Sequence, residues 1–478
     1  MPERTITAPT DNNGKTFNRT LFVLVVLIGL FASNFNQTIL AVAQPTLMKT
    51  FGITASTAQW LSTGYSLIVG VLTPVTAWLS DNYSSKWLFE ISMGFFLIGT
   101  SCAFFAQSFA MLFVGRLIQA VGGGLLAGIG TTMLFSVYPK KQRGTVSALM
   151  GIVFGLAPAI GPTFSGWVID TWNWHMIFGA LIPLLLIALV TGLFILRPVV
   201  PSHRAKLDWP SVDLSVIGFG SLLFGFAQVG NLGWSNVQVI GGILIGAVGI
   251  SAFLYRQNHI ANPVLRISIF KNRNYSASVI VMAITQLAFA GFEFVLPLYL
   301  QTVRGLTAME SGMCLMLGAI VSAAMSPVAG YILDHYSGKR MIQAGILIMM
   351  LGTIPFGFVT AHTALLDIVM LYTIRSFGFA LASMPVTAIG INSLPRDLVA
   401  HGSSGNNMIR FTVSAVGTAV LISTQQMVAF HHMPAGATQA TVPALLSGYR
   451  FAFVVVLVLL LIGLIAGQLM RENQEVSV

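Results

Sequence analysis

The stretch GIVFGLAPAIGPTFSGW, residues 151–167, lies inside a long apolar run yet carries four glycines and two prolines. Both residue types are poor helix formers in water. Working outward, Gly144, Ala148, Gly151, Gly155, Pro158, Pro162 and Gly166 follow steps of 4, 3, 4, 3, 4 and 4, which keeps them on one face of a helix. A face so bare lets another helix approach backbone to backbone. Each proline removes a backbone donor and bends the helix, which a membrane span tolerates where neighbours satisfy the freed carbonyls. The run therefore reads as a transmembrane helix with a smooth, bent face that slides or rocks against a partner. Ordinary tight packing is the plainer alternative.

The whole chain fits that setting. Of 478 residues, 55% are hydrophobic and only 8% charged, against roughly 25% charged in soluble proteins. So few charges cannot cover a water-facing surface, and the chain is an integral membrane protein. The polar first 19 residues and the long apolar run from Leu21 argue against a cleaved signal. Cys102 and Cys314 lie far apart in apolar segments and read as small buried hydrophobes rather than a disulfide or metal pair.

About 20 apolar residues cross the hydrocarbon core, and fourteen segments qualify: roughly 20–43, 58–79, 86–106, 109–135, 145–169, 174–196, 211–230, 236–255, 275–300, 309–333, 340–361, 363–393, 402–430 and 448–470. With connections alternating between sides, 18 of the 24 Lys and Arg residues fall on the amino-terminal side. Lys49, Arg304 and Arg450 fall opposite, and Arg116, Arg375 and Arg410 lie inside spans. The positive-inside bias then places both termini in the cytoplasm, so the net charge of +10 reflects membrane orientation and not nucleic-acid binding.

The chain also repeats. GRLIQAVGGGLLAG around Arg116 is echoed by IRSFGFALASMP around Arg375, and AWLSDNYSSKW is echoed by GYILDHYSGKR. The offsets are 375 − 116 = 259 and 334 − 81 = 253. The expected organisation is a tail (1–19), a six-helix bundle (20–196), an inserted helix pair with cytoplasmic loops (197–274), a second six-helix bundle (275–470) and a tail (471–478). Such repeats are common in transporters, where substrate lies between halves that rock about it.

GLAPAIGPTFSGW resembles the span-5 antiporter motif of the major facilitator superfamily, with Gly155, Pro158, Gly161, Pro162 and Gly166 fitting and Gly151 preceding them. LFVGRLIQAVGGG resembles its span-4 motif through Arg116, Gln119 and Gly122 or Gly123. Fourteen spans with an inserted pair, NQTILAVAQP (36–45) and FVLPLYLQTVRGLTAMESG (294–312) resemble its drug:proton antiporter branch. The resemblance implies an all-helical major facilitator fold, drug efflux, and a role for Arg116 near the proton site. Two departures stand out. Asn36, followed by Gln37, occupies the place where the branch often has an aspartate, so substrates need not be cationic. The first cytoplasmic motif keeps Asp81 and Lys86 but has Ala77, Asn82, Ser84 and Ser85 in place of the expected Gly, Arg, Gly and Arg; its echo retains Gly330, Asp334, Gly338 and Lys339. An aspartate there can cap an adjacent helix or pair with a loop cation, latching the cytoplasmic side.

An ionisable group inside a span costs about 2.5–3.5 kcal/mol on insertion scales, so each needs a reason. Thr307 and Glu310 form a capping box that opens span 10. Glu90, about one turn from the end of span 3, reads as interfacial and snorkelling. Glu293, in AFAGFEFVLP, is the one deeply placed acid and is the candidate for proton coupling, with a static hydrogen bond to a neighbouring helix as the alternative. Arg116 keeps its charge at any working pH. Arg375 and Arg410 read as its counterparts lining a cavity or as locks between helices. Phe35, Phe154, Phe292 and Phe294 flank these positions and are expected, with Asn36, Gln37 and Gln119, to line a cavity for apolar molecules.

No GxxxxGK[ST] motif is present, and without it ATP is not the expected energy source. The eight histidines show no metal-ligand spacing. The expected protein is not an enzyme and has no cofactor. It is a monomer in the plasma or inner membrane that couples a proton gradient to export of small amphipathic organic compounds. The alternatives are transport of one defined metabolite, or a non-transporting receptor.

Overall fold

The computed structural model describes residues 15–138, 143–200, 208–260, 263, 265–335, 337–395, 398–433 and 441–470. Among them the chain is helical throughout its length. The first passage is α1 (Arg19–Thr38) continued by α2 (Leu40–Phe51), joined through Ile39. Next come α3 (Ala55–Asn82), α4 (Ser85–Phe104), α5 (Phe109–Ser136), α6 (Arg143–Thr171) and the pair α7 (His175–Gly179) and α8 (Leu181–Ile195), which share a sixth passage. The inserted pair is α9 (Trp209–Leu232) and α10 (Val237–His259). The second set is α11 (Arg273–Thr302), α12 (Ala308–His335), α13 (Gly338–Thr353) with a 3-10 turn at Ile354–Phe358, α14 (Leu365–Asn392), α15 (Val399–His431) and α16 (Val442–Gly467). Twelve of these passages are apolar and long enough to cross a membrane among the described residues. Helices α3 and α6, of 28 and 29 residues, are equally long, giving fourteen passages. Below, the near end is the end at which α1 begins.

Local chemistry fixes where helices start. Asn18, Thr54, Ser108, Asn236, Asn272 and Ser337 each accept a hydrogen bond from an amide in the first turn that follows, satisfying donors that have no intrahelical partner. Gly52, with φ of +62°, ends α2 in the left-handed conformation that glycine adopts without steric penalty. The expected capping box is present: the Thr307 amide donates to Glu310 Oε2 (2.9 Å) and the Glu310 amide to Thr307 Oγ1 (3.2 Å).

Beside a small cluster of Ala329, Met341 and Leu381, two large hydrophobic cores form among the described residues. One draws only on residues before 197, through α1–α8. The other draws mainly on α11–α16, with Phe219 and Phe253 of the inserted pair added. Helices α9 and α10 close on each other through glycine: Gly218 lies against Gly249, and Gly225 against Gly242. Helix α9 then packs on both α3 and α15, so the inserted pair lies beside one of the seams joining the halves.

Close helix contacts set the register of the repeat. Gly122 of α5 lies against Ser92 and Phe96 of α4, and Gly378 of α14 lies against Gly345 and Met349 of α13. Gly99 lies against Gly115 and Gln119, and Gly352 against Leu371 and Arg375. The third spans are thus related by 345 − 92 = 253, as the motif echo gives, but the fourth spans by 378 − 122 = 256. The expected pairing of Arg116 with Arg375 is one helical turn out. Arg116 corresponds to Tyr372, and Gln119 to Arg375. Both arginines sit in glycine-rich surroundings, which disguises a three-residue slip, whereas backbone contact fixes the true offset.

Candidate functional site between the two halves

The halves meet along α6–α12 and α3–α15, and α2 packs on α11. The described end of the glycine and proline stripe, Pro162 and Gly166, belongs to the first seam. Gly166 lies against the backbone of Ala308, and Gly312 against the carbonyl of Pro162. Thr163 Oγ1 donates to the Gly312 carbonyl (3.2 Å), and Asp170 Oδ2 at the end of α6 accepts from the Met309 amide (2.8 Å), capping α12 from the other half. Gly161, off the stripe, faces Thr38 of α1 instead. Two more residue pairs join the halves: Gln301 Nε2 donates to the Val42 carbonyl (3.0 Å), and the Ser56 amide (3.3 Å) and hydroxyl both donate to Gln426 Oε1. All four contacts lie toward the end of the bundle away from the near end. Helices α5 and α14 share no such seam among the described residues.

Beneath these contacts lies a small pocket, with about 40 Å³ open to water-sized molecules, lined by Gln37, Thr38 and Ala41 of the first passage, Pro162, Glu293, Phe294, Leu315 and Tyr372. Six helices from both halves contribute to it. Glu293 is half-buried, and its Oε1 accepts from the Tyr372 hydroxyl at 2.9 Å. Arg375, one turn further along α14, is fully buried and near enough for its charge to act on both Glu293 and Tyr372. Its Nη2 donates to the Ala288 carbonyl (2.8 Å), and its guanidinium carbon lies 4.0 Å from the centre of the Phe292 ring and 5.1 Å from that of Phe289. Its Nε and Nη1 have no hydrogen-bond partner.

Arg116 is placed differently. It is buried within the amino-terminal half, where Nη1 donates to Gln119 Oε1 (2.9 Å) and the Asn36 carbonyl (3.5 Å), and Nε to the Leu61 carbonyl (3.3 Å). Its guanidinium lies over the Tyr65 ring at 4.5 Å. Gln119 also donates to Thr100 Oγ1 (2.8 Å), and Asn36 Nδ2 to Gln119 Oε1 (3.5 Å). Every oxygen on Arg116 is uncharged. The cation beside Glu293 is therefore Arg375, and not Arg116 as the sequence reading paired them.

Several expected positions move. Phe292 is fully buried among Phe356, Tyr372 and Phe453, inside its own half rather than on the pocket wall. Phe35 packs on Phe31 and Phe164, and Asn36 and Gln119 are buried in the Arg116 network, whereas Gln37 and Phe294 do line the pocket. Arg410 is exposed, 5.4 Å from the Phe411 ring. Lys86 donates to the Leu193 carbonyl (2.6 Å) and Lys339 to the Gln468 carbonyl (3.0 Å). Each lysine thus ties the third helix of its own half to the sixth. Gly338 packs against Leu333 and Ile389, while none of the described residues closely approaches Gly330. The side chains at Asp81, Gly151, Phe154, Gly155, Pro158 and Asp334 lie outside the described residues. Glu90 does not snorkel: it is buried against Gly192 of α8, and neither carboxyl oxygen has a hydrogen-bond partner. Gly192, with no side chain, leaves the space that the carboxyl group fills.

Sequence reasoning missed Tyr372 and Tyr65, the two tyrosines that accompany the buried arginines. For Tyr372 a signal existed, because it precedes Arg375 by three residues and so shares its helix face.

The Major Facilitator Superfamily model matches residues 26–418. The chain is 37% identical to an uncharacterised MFS-type transporter, YcnB, of Bacillus subtilis, covering 96% of this chain and 97% of that one. It is 35% identical to the lincomycin resistance protein LmrB of the same organism, covering 94% and 95%, and 26% identical to its multidrug resistance protein 3, covering 84% and 79%. Its fold superposes on the crystal structure of a peptide transporter in complex with sulfate with a TM-score of 0.67 at 15% identity, covering 94% and 95%. With two helical halves meeting around a shared pocket and relatives matched over nearly their whole length, the chain belongs to the Major Facilitator Superfamily, as a multi-pass membrane transporter and not an enzyme.

Proposed function

We propose that the protein is a proton-coupled antiporter that exports amphipathic organic compounds from the cell by alternating access, with both termini cytoplasmic. The observation that carries this reading is the placement of Glu293: a membrane carboxyl group in a pocket walled by both halves, bonded to Tyr372 and in the field of Arg375. In this reading the α6–α12 and α2–α11 contacts hold the far end, which faces outside, and the near end faces the cytoplasm. There Glu293 releases its proton and a substrate enters the crevice. The ionised carboxylate accepts the Tyr372 hydroxyl and balances the buried guanidinium. Reopening to the outside brings a new proton, which removes that charge and shifts the balance between the two states, so that proton and substrate compete through conformation. A change of one charge in a low-dielectric site has enough energy to bias a two-state equilibrium. The bare face of α6 lets the halves rock without prying side chains apart.

Alternating access needs no resident cofactor and no second subunit, and the proton gradient supplies the energy. The lincomycin and multidrug resistance relatives support the substrate class. In proteoliposomes, lincomycin should be moved against its gradient when a pH gradient is imposed, without ATP. Glu293→Gln should abolish that uphill movement. Wild-type rates in this variant would remove Glu293 from the coupling.

A further inference from the structure

Arg410 lies 11 residues into α15, about 17 Å from its near end at 1.5 Å per residue. Helix α15 is walled by α3, α9, α11, α14 and α16, which leaves it little lipid-facing surface along this stretch. Between His401 and Gln426 every described residue is buried or half-buried except Arg410. The usual pattern of a membrane helix is inverted here, with the charged residue as the accessible one. In the middle of a bundle such accessibility means a wet crevice, because a permanent cation is not stable against acyl chains. Ser403, Asn407 and Ser414 are half-buried at steps of 7, 3 and 4 from Arg410, and they extend the polar strip along the same side of α15.

Among the described residues the guanidinium also lacks a counter-ion. Its recorded contact is the Phe411 ring, and the ion pair formed among the described residues is Asp208–Arg256, elsewhere in the molecule. Apart from Glu90 and Glu293, every acidic residue lies in a tail, a loop or near a helix end. Glu90 is enclosed in the α4–α8 seam, and Glu293 is engaged by Tyr372. Arg375, by contrast, is fully enclosed with a carbonyl and two aromatic rings.

We propose that Arg410 is a substrate-binding residue for the anionic head of an amphipathic organic acid — a carboxylate, sulfonate or phosphate — with Phe411 bordering the apolar body beside it. The proposal rests on the export reading above and names a substrate class for it. A guanidinium keeps its charge and offers a planar fork of donors matched to two oxygens of such a group. Left without a protein carboxylate in a water-filled crevice, it is available for a ligand. Gln37, an amide on the wall of the shared pocket, suits the same class, since it does not repel an anion.

The test compares two fluorescent probes that share one ring system, anilinonaphthalene sulfonate and uncharged phenylnaphthylamine. Binding is measured to the full-length protein in phosphatidylcholine nanodiscs, with empty nanodiscs subtracted. Wild type should favour the sulfonate. Arg410→Gln should lower the sulfonate-to-neutral affinity ratio by about tenfold or more, the size expected for loss of a charge-assisted bond. Arg410→Lys, which keeps the charge but not the fork, should give a smaller fall. Ratios within about twofold of wild type in both variants would overturn the proposal. So would a wild-type ratio that collapses when phosphatidylglycerol is added, because a lipid phosphate would then occupy the site. No gradient is present, so this result is independent of uphill lincomycin movement, and either reading can fail alone.

Discussion

The two halves hold buried arginines in unlike ways. In the amino-terminal half, Arg116 is surrounded by carbonyl oxygens, the amide of Gln119 and the Tyr65 ring, all uncharged. In the carboxy-terminal half, Arg375 has one carbonyl, two nitrogens without partners, and the carboxyl group of Glu293 across Tyr372. A guanidinium satisfied by neutral oxygens has the same energy whatever the proton supply. One balanced against a carboxyl group does not. The repeat thus provides one half with a fixed charge distribution and the other with a distribution that a proton changes.

The largest expected effect comes from making the halves alike. Glu293→Gln leaves amides on both walls of the pocket, and uphill lincomycin movement in proteoliposomes should fall at least about tenfold, equivalent to about 1.4 kcal/mol of lost coupling. Substituting the arginines sharpens the contrast. Arg375→Gln removes the cation that balances Glu293 and should abolish coupling. Arg116→Gln should leave coupling in place while destabilising the protein by about 1–3 kcal/mol, because it strands buried carbonyls; thermal unfolding in detergent, set beside the transport assay, separates the two. If both variants behaved identically, the distinction between the halves would be lost.

A smaller effect is expected at the seam where the halves meet. Gly312→Val places a branched side chain on the carbonyl of Pro162 and should weaken far-end closure by about 1–3 kcal/mol, as overpacking does. Faster labelling of a cysteine introduced near the Met309 contact would register it. The smallest lies in the inserted pair. Arg256 bonds bidentately to Asp208 at 2.6 Å and holds the Asp208 carboxyl down at about 2. An acid with a lowered folded-state value stabilises fully above its ordinary value near 4 and loses that contribution as pH falls toward about 2. Asp208→Asn should therefore lower the melting temperature by no more than about 2 °C at neutral pH. The difference from wild type should vanish as pH drops through that window.

Span number, the inserted pair and the close approach at Pro162 and Gly166 of α6 were legible in the sequence, because apolar length and residue spacing are local properties. So was Glu293, since a lone acid deep in an apolar run is conspicuous. Its partners were not. Arg375 and Tyr372 belong to a helix about 80 residues on, and only tertiary packing brings them there. The slip between Arg116 and Arg375 has the same origin, because matching similar residues ignores which backbone atoms touch. Glu90 was misplaced because its proximity to a helix end was visible while the space left by Gly192, about 100 residues away, was not.

Proton release on ligand binding tests the central claim most directly. Purified protein in weakly buffered detergent solution receives lincomycin while pH is followed. Wild type should release protons, Arg116→Gln should do so as well, and Glu293→Gln should release none. Release from Glu293→Gln equal to that of wild type would contradict the assignment of the titrating charge to the carboxy-terminal half.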